Sequence, residues 1–136
     1  SFNKTLKIAI SKGIEKSRIC LDPGIGFALT KRENLELIKG IDRIHNMGYL
    51  SFLGVSRKRF VVNILTENNI VSDIKTEEGL SNVDLASAYL SAIASFKGVN
   101  ILRVHNFDKH FSATLIGDAI RMADKSEDIN FGAYKK

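Results

Sequence analysis

A short apolar run that is followed at once by a serine and three basic residues constrains the fold of this chain most. Residues 50–55 have the length and the β-branched or aromatic content of a buried strand. Residues 56–59 read Ser-Arg-Lys-Arg, and apolar residues with the spacing of a helix face follow from residue 60. The basic segment therefore lies where a strand ends and a helix begins, and free N–H groups at such a position favour an anion. A serine N-cap beside solvated basic residues is the alternative interpretation.

The same strand-then-helix order recurs along the chain. Strands are predicted at 18–21, 50–55 and 100–105. Helices are predicted at 2–13, at 30–47, over about 10 residues after Lys58, at 82–97, and after Asp108, which would cap the last helix. Since strands and helices alternate, we expect parallel strands joined by right-handed crossovers, an α/β fold.

Local signals set the bounds of two of these helices. Thr30 and Glu33 have the spacing of a capping box, and Gly48 stands just past the predicted end of that helix. A polar loop is predicted over 66–79, with Ser81 or Asn82 as the cap of the next helix. The apolar stripe predicted for that helix consists of Leu85, Ala86, Tyr89, Leu90, Ile93 and Ala94.

Length and composition indicate an ordinary globular protein. The 136 residues suffice for one domain, and 44% are hydrophobic and 26% charged. Apolar runs fall well short of the roughly 20 residues that span a bilayer, no signal peptide is visible, and the single cysteine, Cys20, suits a reducing compartment. We therefore expect a cytoplasmic protein with at most one domain over 1–136 and a frayed tail at 125–136. The net charge of +5 suits small anionic ligands as well as nucleic acid.

Chemistry-bearing side chains stand at all three predicted strand ends. Asp22 follows the first strand, residues 56–58 follow the second, and Arg103 and His105 end the third. In α/β folds, the loops at the carboxyl ends of the strands converge on one crevice. Asp22 is also a plain turn former within Asp-Pro-Gly. Because Arg103 and His105 alternate along a strand that is predicted to be buried, they need a partner.

These segments carry a family resemblance. They read LDPGIGF at 21–27, GVSRK at 54–58 and ILRVH at 101–105. In this order they resemble the three carboxyl-terminal signature segments of dihydropteroate synthases. The resemblance implies a (β/α)8 TIM barrel, of which this chain would supply the carboxyl-terminal portion, strands six to eight with their helices. It also implies a transferase of folate biosynthesis that joins 4-aminobenzoate to 6-hydroxymethyl-7,8-dihydropterin pyrophosphate.

The resemblance assigns substrate-binding roles to named residues. Asp22 would accept hydrogen bonds from the pterin edge, and Lys58 would donate to the pterin carbonyl. Phe27 would pack near the aminobenzoate ring, and Ser56 would hold the aminobenzoate carboxylate. Gly54 belongs to the same substrate-binding set.

Arg103 and His105 would take the pyrophosphate, where fixed donors meet the growing negative charge. With Lys58 they form the expected catalytic set, and Arg57 has a supporting part in substrate binding. The cofactor would be Mg²⁺, with its ligands in the amino-terminal half of the family's barrel and none in this chain. We expect a homodimer formed through carboxyl-terminal helices, with no nucleic-acid or membrane partner.

The chain also departs from the family pattern. Ala28-Leu29 stand where the family often has Gly-Lys, and the segment after Lys58 is longer than in compact relatives. The first half of the family's barrel is missing, so the chain alone would hold part of an active site and would be inactive. Two alternatives stay open: a pterin-binding methyltransferase barrel, and a non-catalytic anion-binding module.

Overall fold

The computed structural model describes residues 20–26 and 29–125. The predicted helix at 2–13, most of the first strand, Phe27 and the tail after Lys125 lie outside these residues. The described strands are β1 Cys20–Leu21, β2 Leu50–Gly54 and β3 Ile101–Arg103. The described helices are α1 Lys31–Lys39, α2 Asp42–Asn46, α3 Arg59–Glu67, α4 Glu77–Phe96 and α5 Phe107–Arg121, followed by a 3-10 turn at Ala123–Lys125.

The three strands form one parallel sheet with β2 in the centre. Cys20 lies opposite Leu50, and Gly54 lies opposite Arg103. Helices connect successive strands, as the alternation in the sequence predicts. Since the strands run in one direction, the loops that follow them leave the sheet at the same edge.

The two faces of β2 have different environments. Leu53 and Val55 are buried in one apolar cluster with residues of α1 to α4, while the alternate residues Leu50 and Phe52 stay exposed or half-buried. The cluster consists of Ile25, Ile38, Ile41, Ile44, Tyr49, Leu53, Val55, Phe60, Val61 and Ala94. The core thus lies between the sheet and its helices, and on the other face of the sheet the described residues leave Leu50 and Ile101 exposed.

The structure confirms the helix-end signals around 30–48 but divides the helix. Thr30 and Glu33 form the predicted capping box, and Gly48 takes a left-handed φ of 88° after α2. The chain breaks its helix at Gly40, which is a poor helix former. The side chain of Arg43 packs so closely on Gly40 that an added Cβ would lie 2.6 Å from a guanidinium nitrogen.

The predicted cap of the last helix is wrong. The N-cap of α5 is Asn106, in a left-handed conformation with φ 54° and without a side-chain cap. Asp108 instead lies in the first turn, where a carboxylate faces the positive end of the helix dipole.

The predicted start of the long helix is also wrong. The helix was expected to begin at residues 81–82 after a loop over 66–79, yet α4 begins at Glu77. The Thr76 hydroxyl is the N-cap and accepts the N–H of Gly79 at 3.1 Å. The backbone of Asp73 packs directly against Gly79. A polar segment therefore becomes helical because the loop before it folds back onto the first turn.

Close packing of α4 against α5 divides the apolar stripe predicted for α4: Ala86, Leu90 and Ala94 pack on the core, and the other three residues do not. A Cβ on Gly117 of α5 would lie 2.3 Å from the carbonyl oxygen of Ala92, so the two backbones nearly touch. Small residues fill this contact, and the serines at 87, 91 and 95 are buried. Of the predicted apolar stripe, Ala94 is buried, but Leu85, Tyr89 and Ile93 are exposed. In the part of the chain that the structure describes, every helix is too short or too polar to cross a membrane.

We predict that Gly79→Ala destabilises the protein by about 1–3 kcal/mol or more, because overpacking here meets backbone. The new Cβ would lie 2.1 Å from the Asp73 carbonyl oxygen, so the loop must move. Urea unfolding followed by circular dichroism measures the change. Ser81→Ala, an exposed position of the same helix, is the control and should stay within about 0.5 kcal/mol of wild type. Equal midpoints for Gly79→Ala and Ser81→Ala would contradict this packing.

Candidate functional site

A cavity of about 360 Å³ opens between the loops that follow β2 and β3. Its lining consists of Gly54, Ser56, Lys58, Arg103, Val104 and His105. Five of these six residues belong to the predicted substrate-binding set. The cavity has two side-chain cations, a hydroxyl and an imidazole on its walls, so its chemistry suits an anion.

Two glycines let the cationic side chains lie close to the backbone. An added Cβ on Gly54 would lie 3.0 Å from a guanidinium nitrogen of Arg103, directly across the β2–β3 pair. The same guanidinium lies over the Phe52 ring, with 5.9 Å from Cζ to the ring centroid. On the other side, a Cβ on Gly26 would lie 3.1 Å from Lys58 Cδ. Lys58 therefore bridges from its own loop to the loop after β1.

Ser56 joins the loops that follow β2 and β3. The backbone N–H of His105 donates to Ser56 Oγ at 2.7 Å. Before it, the N–H of Val55 donates to the Arg103 carbonyl oxygen at 3.4 Å, which continues the strand pairing beyond β2. The hydroxyl of Ser56 and the backbone of His105 are thereby fixed relative to one another at the wall of the cavity.

Arg57 faces away from the cavity and holds the loop in shape. Its φ of 55° is left-handed, which is unusual for a residue with a side chain. Its guanidinium makes two hydrogen bonds to Asp84 of α4, 2.8 Å from Nε to Oδ1 and 3.2 Å to Oδ2. Its backbone N–H donates to the hydroxyl of Ser87 at 3.0 Å. Arg57 thus ties the loop to α4, and its predicted supporting part in substrate binding stays a prediction.

The ion pair shifts the pKa values of both partners. Hydrogen bonding to Arg57 holds the pKa of the Asp84 carboxyl below its ordinary value, against the raising effect of burial. Electrostatic attraction to Arg57 and Lys109, together with a hydrogen bond to the Asn106 side chain, lowers the pKa of Asp84 further. The pKa of Arg57 is raised, chiefly by the hydrogen bonds that its guanidinium donates to Asp84. Asp84 is therefore a buried anion that is stabilised by its partner.

Asp22 lies at the same edge of the sheet but outside the lining of the cavity. Its side chain is exposed, and Oδ1 accepts the N–H of Gly24 at 2.8 Å, the turn that Asp-Pro-Gly predicts. Gly26, in the same loop, donates its N–H to Oδ1 of the buried Asn34 at 2.7 Å. Among the described residues, the turn uses Oδ1 of Asp22 and leaves the second carboxylate oxygen for a ligand. Phe27 lies outside the described residues.

Residues of α4 and α5 that the sequence prediction missed support the site. Asp84, Ser87 and Ser91 lie on one side of α4, and the buried His110 of α5 contacts both Ser91 and Ser56. Polar residues at helical spacing within an otherwise apolar helix are the signal that could have identified the first three. His110 gives no comparable signal, because only the packing of α5 on α4 buries it.

The described residues do not form a metal site. Within 20–26 and 29–125, no group of three or more His, Cys, Asp or Glu side chains could hold a metal ion. The cavity is lined by cationic side chains, whereas Mg²⁺ takes oxygen ligands. The expectation that Mg²⁺ takes its ligands from the amino-terminal half of the family's barrel stays a prediction.

The chain belongs to the pterin-binding enzyme family, whose model matches residues 1–105. Among its relatives is a dihydropteroate synthase of Streptococcus pyogenes serotype M6, 42% identical over 98 residues, which are 72% of this chain and 34% of the relative. A dihydropteroate synthase of Bacillus subtilis (strain 168) is 33% identical over 103 residues, 76% of this chain and 32% of the relative. The chain thus spans about a third of the length of these curated relatives.

Solved structures agree with this family. The dihydropteroate synthase of Yersinia pestis superposes with a TM-score of 0.71 at 27% sequence identity, covering 88% of this chain and 51% of that chain. That of Thermus thermophilus gives a TM-score of 0.67 at 29% identity, covering 87% of this chain and 42% of the other. The predicted fold class, part of a (β/α)8 barrel, and the predicted family are confirmed.

We predict that Asp84 makes the stability of the protein depend on acid pH. Because its folded pKa is lowered, its contribution is fully present above its unfolded pKa of about 3.9 and is lost as pH falls through the folded value. Asp84→Asn should therefore be less stable than wild type near neutral pH. The difference in the free energy of unfolding between the two should narrow below about pH 4. Urea unfolding at stepped pH values measures it.

Glu36→Gln is the control for that experiment, because it removes one carboxylate from an exposed surface ion pair with Arg32. Asp84 also raises the pKa of the buried His110 by electrostatic attraction, so the comparison is made in a His110→Gln background, where this histidine cannot titrate. A gap between wild type and Asp84→Asn that stays constant down to pH 2 would contradict the assignment.

Proposed function

We propose that this chain is the carboxyl-terminal part of a dihydropteroate synthase. The complete barrel would join 4-aminobenzoate to 6-hydroxymethyl-7,8-dihydropterin pyrophosphate and release pyrophosphate. The observation that carries the proposal is the convergence of Ser56, Lys58, Arg103 and His105 on one cavity at the strand ends. The names of the relatives support it. The cationic side chains of Lys58 and Arg103 in the cavity favour this reaction over methyl transfer from a pterin, because methyl transfer releases no pyrophosphate.

Arg103 and His105 are the proposed binding groups for pyrophosphate. Arg103 is held between Gly54 and the Phe52 ring, so its charge is positioned before a ligand arrives. Negative charge grows on the leaving pyrophosphate, and fixed donors that meet this charge lower the barrier without reorganising.

Ser56, Lys58 and Asp22 are the proposed binding groups for the two organic substrates. Ser56 would donate to the aminobenzoate carboxylate and Lys58 to the pterin carbonyl. The free oxygen of Asp22 would accept from the N–H edge of the pterin, a charge-assisted contact. Gly54 gives the ligand room beside Arg103, and Phe27 is kept as a proposed neighbour of the aminobenzoate ring. Arg57 would act through the shape of the loop.

Mg²⁺ remains part of the proposal, with ligands outside the described residues. When bound, the ion would neutralise charge on the pyrophosphate. The described residues then have the complementary task of binding the pyrophosphate with cationic side chains.

A homodimer is also proposed, formed through α4. Tyr89 and Phe96 are 59% and 49% exposed, and Leu85 and Ile93 continue the same apolar side of the helix. An exposed apolar face with aromatic residues is typical of an interface between proteins. Light scattering of the complete protein measures its mass, and a strict monomer at high concentration would rule the dimer out.

We predict that the complete barrel forms dihydropteroate and that this chain alone does not. Adding the complementary half in trans should restore some turnover if the edge strands pair.

In the complete barrel, Arg103→Ala should lower kcat/KM by at least about tenfold and weaken inhibition by pyrophosphate, because a hydrogen bond to a charged group is lost. The control is Arg43→Ala, which removes the same charge from an exposed position of α2, outside the cavity lining. Equal losses in the two variants would refute the pyrophosphate site.

We predict that Asp22→Asn weakens pterin binding at least about tenfold, nearly as much as Asp22→Ala, through loss of a charge-assisted bond. The asparagine variant keeps an Oδ1 that can accept the N–H of Gly24, so the turn is preserved and only the ligand contact changes. Calorimetry with a pterin measures the effect. Asp124→Asn, in the turn after α5, is the control for charge, and unchanged affinity of Asp22→Asn would remove Asp22 from the site.

A further inference from the structure

His110 is a buried histidine that the proposed function does not use. It lies in the first turns of α5 and is 2% exposed. Its ring stands between two serines, with Nδ1 2.5 Å from Ser91 Oγ and Nε2 3.4 Å from Ser56 Oγ. The ring thus connects the interior of the α4–α5 contact to the hydroxyl at the wall of the cavity.

The direction of the Ser56 proton depends on which nitrogen of His110 carries hydrogen. Ser56 Oγ already accepts the backbone N–H of His105 at 2.7 Å. A hydroxyl has one proton and two lone pairs. If Nε2 of His110 carries hydrogen, it donates to the second lone pair and the Ser56 proton is free for the cavity. If Nε2 is bare, it takes the Ser56 proton and the cavity faces only lone pairs.

Ser91 decides between the two states of the ring. Ser91 is fully buried, and among the described residues the hydrogen-bond partner of its hydroxyl is Nδ1 of His110. A buried hydroxyl proton needs an acceptor, and a bare Nδ1 supplies one. Nδ1 then has no hydrogen, so the neutral ring carries its hydrogen on Nε2.

The surroundings favour the neutral ring that this arrangement requires. Burial lowers the pKa of His110, and repulsion from His105 adds to that effect, while attraction to Asp84 opposes it. A neutral imidazole has one donor and one acceptor nitrogen, which matches one serine on each side.

We propose that His110, oriented by Ser91, donates from Nε2 to Ser56 and thereby directs the Ser56 proton into the cavity as a donor to an anionic ligand. His110 is a positioning residue, since it acts through Ser56. The inference rests on the proposed function, in which that ligand group is the aminobenzoate carboxylate. The 3.4 Å separation is long for a hydrogen bond and should shorten when the ligand draws the hydroxyl into place.

The state of the ring is tested without substrate. Long-range ¹H–¹⁵N spectra of the complete protein with ¹⁵N-labelled histidine distinguish a neutral ring with hydrogen on Nε2 from one with hydrogen on Nδ1. The signals of His110 are those that disappear in His110→Gln. Hydrogen on Nε2 at neutral pH supports the proposal, whereas hydrogen on Nδ1, or on both nitrogens, overturns it.

Two variants of His110 test the effect on Ser56. The Asn amide reaches the Nδ1 position beside Ser91 but not Ser56, while the Gln amide reaches the Nε2 position and can donate to Ser56. We expect His110→Asn to raise the KM for 4-aminobenzoate about three- to tenfold with kcat little changed, as loss of one hydrogen bond implies. His110→Gln should recover most of this loss. Equal KM values in His110→Asn and His110→Gln overturn the proposal. A KM below wild type in His110→Asn also overturns it, because it would mean that a bare Nε2 in the wild type takes the Ser56 proton away from the ligand.

Failure of the inference is distinguishable from failure of the proposed function. If the complete barrel makes dihydropteroate and Ser56→Ala raises the KM for 4-aminobenzoate while His110→Asn does not, the inference alone fails. If the complete barrel makes no dihydropteroate, or Ser56→Ala leaves the KM unchanged, the proposed function fails. The spectra then still decide the state of the His110 ring.

Discussion

The bidentate pairing of Arg57 with Asp84 is the interaction on which the geometry of the site depends. Arg57 holds a left-handed backbone conformation, which costs roughly 1–3 kcal/mol for a residue other than glycine. Two hydrogen bonds to a buried carboxylate and a third from its backbone N–H to Ser87 offset that cost. Because the loop is fixed at its middle residue, Ser56 and Lys58 on either side face the cavity. A helix outside the cavity lining thus sets the direction of two side chains that line the cavity.

Small and polar residues of α4 make this support possible. The backbones of α4 and α5 approach closely at Gly117, and large apolar side chains would not fit between them. Serines fill the space, and their hydroxyls bond to Arg57, to His110, and, from Ser95, to the Thr114 carbonyl oxygen and the Asp118 carboxylate. Leu85, Tyr89, Ile93 and Phe96 of α4 are left on its outer side. One packing constraint therefore accounts both for the polar interior that holds the loops and for an exposed apolar face.

The exposed face of the described sheet is consistent with a cavity that forms one part of the proposed site. Leu50 on β2 and Ile101 on β3 are exposed on the side opposite the core, where further strands of a barrel would cover them. Arg103 and His105 are exposed at the same edge, although their strand was predicted to be buried. A barrel encloses its ligand with loops from all strands. The described residues supply cations and a hydroxyl, which suits one side of an anionic ligand.

The sequence by itself determined the strand and helix order, the capping box at Thr30, and the identity of the chemistry-bearing residues at the strand ends. These are local properties, since they depend on periodicity, on turn-forming residues and on motifs a few residues long. Only the tertiary structure decided the break at Gly40, the start of α4 at Glu77, and the partners of Arg57 and His110. Each of these depends on contacts between segments that are distant in sequence or that fold back on one another. Burial, and with it the pairing that a polar group needs, is set by those contacts and not by the residue's own neighbours along the chain.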